Sequence, residues 1–256
     1  MNRIANAFDH GKAFIAFITC GDPDLKTTVN CVKAAVSGGA DLIELGIPFS
    51  DPTAEGPVIQ AANARALAGG VTTDQIFDMV VELRREVTVP MVFMTYANVV
   101  YSYGVERFCD RCVATGIDGI ILPDVPFEEK EEFAPACRER GLCFVSLIAP
   151  TSENRIAMIA RGAEGFLYIV SSMGVTGVRS EISTDIGAMV KVVRENTQIP
   201  CAVGFGISTP KQAGNMAELS DGVIVGSAIV RLIAEYGQTA AATVEKYIQS
   251  MKKGMR

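Results

Sequence analysis

Short apolar runs rich in β-branched residues alternate with amphipathic stretches along the whole of this 256-residue chain. The runs are Ala13–Thr19, Leu42–Gly46, Met91–Tyr96, Gly119–Leu122, Cys143–Ile148, Gly165–Val170, Pro200–Gly204 and Gly222–Val225, eight in all. Continuous apolar runs of this length suit parallel strands covered on their outer face. Eight βα units in about 250 residues is the size of a (β/α)8 barrel, also called a TIM barrel. That α/β barrel, with a short N-terminal helix before the first strand, is the expected fold. A doubly wound open sheet is the alternative. No linker or shift in composition interrupts the pattern, so residues 1–256 read as a single domain.

Internal echoes support a repeated unit. Gly39-Ala-Asp-Leu-Ile-Glu-Leu45 resembles Gly116-Ile-Asp-Gly-Ile-Ile-Leu122 and Gly162-Ala-Glu-Gly-Phe-Leu-Tyr168, with Ser220-Asp-Gly-Val-Ile-Val225 as a partial copy. Each reads as a helix end, an acidic residue and a buried strand. Between strands, Val29, Val32 and Val36 share one helical stripe, and Val105, Phe108, Cys109, Cys112 and Val113 share another. Glu128–Glu132 places acid in the first turn of a helix that Arg138 and Arg140 close, with Pro135 expected to kink it. Thr151-Ser-Glu caps a short helix, and Ala240, Val244, Tyr247, Ile248 and Met251 mark the last one.

Hydrophobic content of 49% with 20% charged residues describes a soluble chain with a large core. A net charge of -6 argues against nucleic acid as the main partner. No apolar run approaches the roughly 20 residues of a membrane span, which points to the cytoplasm. Ala13–Cys20 reads as a strand rather than a leader, because Asp9 and His10 stand where a basic flank belongs. The seven cysteines are odd in number and scattered at apolar positions. Cys109-x-x-Cys112 has no second Cys/His pair beside it, so these residues read as small buried hydrophobes. His10 is the only histidine, which disfavours Ser-His-Asp catalysis and His-rich metal sites.

Glu44 is the residue that speaks most directly to function. It interrupts Leu42-Ile-Glu-Leu-Gly-Ile47, and strand alternation turns it away from Ile43, Leu45 and Ile47. Burying an unpaired carboxylate costs several kcal/mol, roughly, so such a group is either paired with a buried Arg or Lys or functional. The loop that follows carries Asp51 and Glu55 among Gly46, Pro48, Pro52, Gly56 and Pro57. In a barrel, chemistry sits at the C-terminal strand ends and phosphate binds after strands seven and eight. Those ends read Ala202-Val-Gly-Phe-Gly-Ile-Ser208 and Val223-Ile-Val-Gly-Ser-Ala228, the second followed by a possible helical turn over 229–234. Their glycines and Ser227 suit a phosphate held by backbone amides and a helix dipole. No nucleotide P-loop is present. Ser171–Gly177, with Gly174 and Gly177, is a candidate lid, and Phe17, Tyr96 and Tyr168 could form an aromatic pocket at the mouth.

Together these segments resemble the alpha subunit of tryptophan synthase. The most specific block is Glu44-Leu-Gly-Ile-Pro-Phe-Ser-Asp-Pro-Thr-Ala-Glu-Gly-Pro57. Met94–Asn98, Pro123–Pro126, Ala149–Ser152, Gly174–Gly177 and Gly204–Ser208 support it. The resemblance implies retro-aldol cleavage of indole-3-glycerol phosphate to indole and glyceraldehyde 3-phosphate. No metal or organic cofactor is implied on this subunit. Glu44 would be the main acid/base and Glu55 the second carboxylate, near the indole nitrogen. Phe17, Tyr96 and Ile121 would line the indole, while Tyr168 would place the substrate and Glu44. Gly177, Gly204, Gly206, Gly226 and Ser227 would hold the phosphate, with Thr176 and Phe205 also contacting substrate. A beta subunit carrying pyridoxal phosphate is implied as partner in an alpha2-beta2 tetramer, facing Ser50–Glu55 and Asn98–Val100. One departure stands out: the family pattern has Asp-Gly-Pro where this chain has Glu55-Gly-Pro, a longer reach by about an ångström. Another phosphosugar barrel lyase or isomerase, and a non-catalytic subunit binding indole or phosphate, are the rival readings. A Schiff-base aldolase is disfavoured because no strand run contains a lysine.

Overall fold

The computed structural model describes residues 3–170, 185–204 and 206–256. Its strands are β1 (Ala13–Thr19), β2 (Leu42–Gly46), β3 (Met91–Met94), β4 (Gly119–Ile121), β5 (Cys143–Phe144), β6 (Ser146–Ile148), β7 (Leu167–Val170), β8 (Cys201–Gly204) and β9 (Gly222–Val225). The helices are α1 (Arg3–Asn6), α2 (Leu25–Ser37), α3 (Pro57–Ala68), α4 (Thr73–Leu83), α5 (Ala97–Tyr103), α6 (Val105–Thr115), α7 (Ala134–Glu139), α8 (Glu153–Arg161), α9 (Ile186–Asn196), α10 (Pro210–Leu219), α11 (Ser227–Tyr236) and α12 (Ala241–Gly254).

Neighbouring strands pair in parallel in the order β5-β4-β3-β2-β1-β9-β8-β7-β6. The two edges of that sheet are halves of one segment, separated by Val145 alone. The first half bonds β4 and the second bonds β7, and Val145 N still donates to Ile120 O at 2.9 Å. The expected run over 143–148 therefore closes the barrel, but no single ladder passes through Val145. Four other runs end early or start late, β8 by one residue, at Cys201. Tyr96 is the N-cap of α5 rather than a strand residue, and β4 stops at Ile121. β7 starts at Leu167, after the turn at Gly165.

Alternation sorts side chains into two cores. Ile15, Phe17, Leu42, Val92, Ile121 and Tyr168 pack inside the barrel. Phe14, Ile18, Ile43, Leu45, Phe93 and Ile120 pack outward under the helices. The N-terminal end of the barrel is plugged by the first turn of the chain. Ile4 is fully buried in the inner cluster, and the Phe8 ring lies 5.9 Å from that of Phe166. Asp118, just before β4, fastens the plug. It accepts from Arg3 Nε at 2.6 Å, Arg84 Nη2 at 2.7 Å and Met91 N at 2.9 Å.

Helix starts follow local chemistry. Asp24 Oδ1 accepts from Thr27 N at the head of α2, and Thr72 and Thr209 form capping boxes with Gln75 and Gln212. Two expectations need correction. Glu128–Glu132 lies in a 3-10 turn over Phe127–Glu132, and Pro135 opens the separate helix α7 instead of kinking one long helix. Proline is favoured in a first turn because the amide it lacks would be unpaired there. On α6 the buried stripe is Phe108, Cys112 and Thr115 with Cys109, spaced i, i+4, i+7, while Val113 is exposed. All seven cysteines are free and buried, as expected.

Candidate active site

β2 carries Glu44 in phase with Leu42, so its side chain enters the barrel interior while Ile43 and Leu45 face the helices. Its strand neighbours in register are Phe17 on β1 and Val92 on β3. Glu44 is 0% exposed, and among the described residues neither carboxyl oxygen has a hydrogen-bond partner. Burial, aided by the nearby charge of Glu55, pushes its pKa from 4.5 up to about 8. The buried cation that would have made this a structural ion pair is not there among the described residues. Tyr168, inward on β7, is also pushed up by burial and by the charge of Glu44, which places the two across the same interior.

Glu55 reaches the site from the loop after β2 and is held from two sides. Asn63 on α3 donates from Nδ2 to Oε2 at 2.7 Å. The Tyr96 hydroxyl also donates to Glu55 and accepts from Ala54 N at 3.2 Å. Burial raises the Glu55 pKa to about 7, against the lowering effect of the Asn63 and Tyr96 hydrogen bonds. Tyr96 in turn stacks on Phe49, with ring centroids 5.2 Å apart. α3 is fixed by a two-pronged pair from Arg65 to Asp22, both contacts 2.7 Å. The longer glutamate thus has a specific seat.

Small residues make room for the aromatic ones. A Cβ on Gly46 would lie 2.6 Å from the Phe17 ring, and one on Gly204 would lie 2.6 Å from the Tyr168 ring. Gly204 therefore has a packing reason for being glycine, besides any approach to an anion. Gly226 lies over Phe17 and serves as the N-cap of α11, where Ser227 is the first residue. Gly206 has a φ of 78°, a left-handed conformation that glycine alone adopts cheaply. The possible turn over 229–234 is part of a ten-residue helix whose N-terminus opens at the end of β9.

The structure thus brings Phe17, Glu44, Glu55, Tyr96, Ile121, Tyr168, Gly204, Gly206, Gly226 and Ser227 to the interior and C-terminal mouth of the barrel. Thr176, Gly177, Phe205 and the candidate lid over 171–177 lie outside the described residues. A cavity of about 470 Å³ opens beside this mouth, lined by Ala54, Met94, Leu122, Val145, Leu147 and Val170 among others. Sequence reasoning named none of these six as lining residues, although Met94 and Leu147 are inward positions near strand ends. Asn63 was also missed, because an asparagine inside a helical run carries no such signal. Thr19, at the end of β1, and Thr95, just past β3, are buried, and their hydroxyls have no hydrogen-bond partner among the described residues. Among the described residues no cluster of His, Cys, Asp and Glu could hold a metal, and no helix is long and apolar enough to cross a membrane.

A family model described as Tryptophan synthase alpha chain matches residues 5–256. The chain belongs to the tryptophan synthase alpha chain family. A relative of that name from Lacticaseibacillus casei is 48% identical over 98% of this chain and 95% of its own length. Another, from Lactiplantibacillus plantarum, is 46% identical over 100% and 97%. The crystal structure of tryptophan synthase subunit alpha from Legionella pneumophila superposes with a TM-score of 0.89 at 35% identity, covering 100% of this chain and 98% of that one. A chain of the tryptophan synthase complex from Pyrococcus furiosus gives 0.87 at 35% identity, covering 95% and 98%. Membership makes the chain a carbon–carbon lyase of tryptophan biosynthesis. It cleaves indole-3-glycerol phosphate to indole and glyceraldehyde 3-phosphate.

Proposed function

We propose that Glu44 performs both proton transfers of this cleavage and that Glu55 serves the indole nitrogen. The observation that carries the proposal is the carboxyl of Glu44, without a hydrogen-bond partner among the described residues and buried inside the barrel with its pKa raised to about 8. Indole leaves only once C3 carries a proton. Protonated Glu44 delivers that proton, and positive charge develops on the ring nitrogen. Glu55, as carboxylate, accepts the N1 hydrogen bond and stabilises that charge. Glu44, now ionised, takes the proton from the hydroxyl on the side-chain carbon attached to C3. The carbon–carbon bond breaks, its electron pair returns to the ring, and the aldehyde forms. Glu44 ends protonated, as it began. A group that must act first as acid and then as base works best with a pKa near the working pH.

The remaining roles follow the same geometry. Phe17, Tyr96 and Ile121 flank the indole, and Tyr168 places the substrate against Glu44. Gly204, Gly206, Gly226 and Ser227, together with the N-terminus of α11, offer amides and dipole to the phosphate. Gly177, Thr176 and Phe205 complete that set in our reading. We read residues 1–256 as one domain, because a single sheet includes every strand from β1 to β9. The partner is a beta subunit in an alpha2-beta2 tetramer, seated against Ser50–Glu55 and Asn98–Val100. Pyridoxal phosphate resides on that partner, this chain needs no cofactor, and the cytoplasm is its compartment.

The test is glyceraldehyde 3-phosphate release from indole-3-glycerol phosphate by the wild type and by Glu44→Gln, with and without a beta subunit. The reading expects the variant to bind substrate and release essentially none, and the wild type to accelerate with the partner. Normal turnover by Glu44→Gln would refute the assignment.

A further inference from the structure

Two of the seven buried cysteines meet in the outer helical layer, away from the barrel mouth. Cys109 on α6 and Cys137 on α7 are each 1% exposed, and their sulfurs are 3.8 Å apart. They sit in the outer hydrophobic cluster with Phe108 and Cys112. A disulfide needs its sulfurs at about 2.05 Å, so the pair must close by less than about 2 Å, within reach of side-chain rotation and a small helix shift. We infer that Cys109 and Cys137 are an oxidisable dithiol, which a peroxide converts to an intramolecular disulfide in the folded chain.

Charge around the pair assigns the roles. The hydrogen-bond contact with Cys137 lowers the Cys109 thiol pKa, burial opposes this, and the Arg140 guanidinium lowers it further against Asp110. Arg140 is itself anchored to Asp110 at 2.6 Å. Cys137 is pushed up by its contact with Cys109 and by burial, and burial also raises Cys112, one turn along α6. Cys109 is therefore the attacking sulfur and Cys137 the resolving one. α7 is only six residues long and follows a 3-10 turn, the kind of element whose local opening admits a small oxidant.

The chemistry balances. The Cys109 thiolate attacks one peroxide oxygen, the O–O bond breaks, and the departing hydroxide takes a proton to become water. Cys109 is then a sulfenic acid. The Cys137 sulfur attacks the Cys109 sulfur, the S–O bond breaks, and the Cys137 proton leaves with the hydroxide as a second water. Two thiols are oxidised and one peroxide is reduced.

The experiment treats the folded full chain with one equivalent of hydrogen peroxide. Remaining thiols are blocked in denaturant, and linked peptides are mapped by mass spectrometry. The expected product links Cys109 to Cys137, is reversed by dithiothreitol, and melts higher by several degrees, on the order of 5 °C. Cys112→Ser should keep the link and the shift, and Cys137→Ser should lose both. A Cys109–Cys112 link, free thiols at both positions after treatment, or a link formed only in the urea-unfolded chain would overturn the inference.

Discussion

Two buried carboxylates at opposite ends of the barrel have opposite surroundings. Asp118, at the N-terminal end, is held by two arginines and a backbone amide. Glu44, on the inner wall leading to the C-terminal mouth, has no hydrogen-bond partner among the described residues. Both lie in glycine-led segments that echo each other, Asp118 third in its segment, just before the strand, and Glu44 sixth, within it. The difference teaches where this fold places stability and where it leaves reactivity. A carboxylate that accepts three hydrogen bonds, two of them from arginines, fastens distant elements together. A carboxyl with no partner costs folding energy and keeps its proton available.

The largest expected effect is on Glu44. Replacing it with glutamine should lower turnover by about 10³-fold or more, in the range of losing a general acid–base group, while thermal unfolding shows equal or greater stability. The stability gain should grow with pH. A raised folded-state pKa means the native chain binds more protons than the unfolded one, so wild-type stability falls as pH rises between about 4.5 and about 8. Melting curves of both proteins across that window check the sign.

Asp118→Ala should show the reverse split. It leaves Arg84, whose side chain is 12% exposed, without its carboxylate partner. Unfolding in urea should lose about 3–5 kcal/mol, while the folded fraction keeps its kcat. Gly204→Ala comes next. The added Cβ would strike the Tyr168 ring, costing about 1–3 kcal/mol of stability and shifting the ring that places the substrate, so KM should rise. Asn63→Leu is the smallest. It removes a hydrogen bond that holds the Glu55 pKa down, so the acidic limb of the rate profile should move to higher pH, with kcat falling about tenfold. In the wild type the limbs belong to the carboxyl pair. Activity should be highest between about 7 and about 8, where Glu55 is ionised and Glu44 is protonated.

This contrast also marks how far the sequence carries. β1, β2 and β9 are readable to the residue, because their apolar runs stop at polar or glycine positions. Glu44 is readable because an acid inside such a run has few explanations. The pairing of Asp118 is not, since Arg3 and Arg84 are 115 and 34 residues away and meet it only through the barrel's closure. The seat of Glu55 is hidden for the same reason: it depends on a helical asparagine eight residues on and a tyrosine beyond β3. Gly204 looks like a phosphate glycine in one dimension, and only three dimensions reveal the Tyr168 ring in the space its side chain would fill.

Protonation of Glu44 at neutral pH follows from a buried seat with no hydrogen-bond partner among the described residues. It is tested most directly by a carbon-13 NMR titration of the glutamate carboxyls, with the Glu44→Gln spectrum subtracted to isolate one resonance. A midpoint near 8 is expected. A midpoint near the ordinary 4.5 would contradict it.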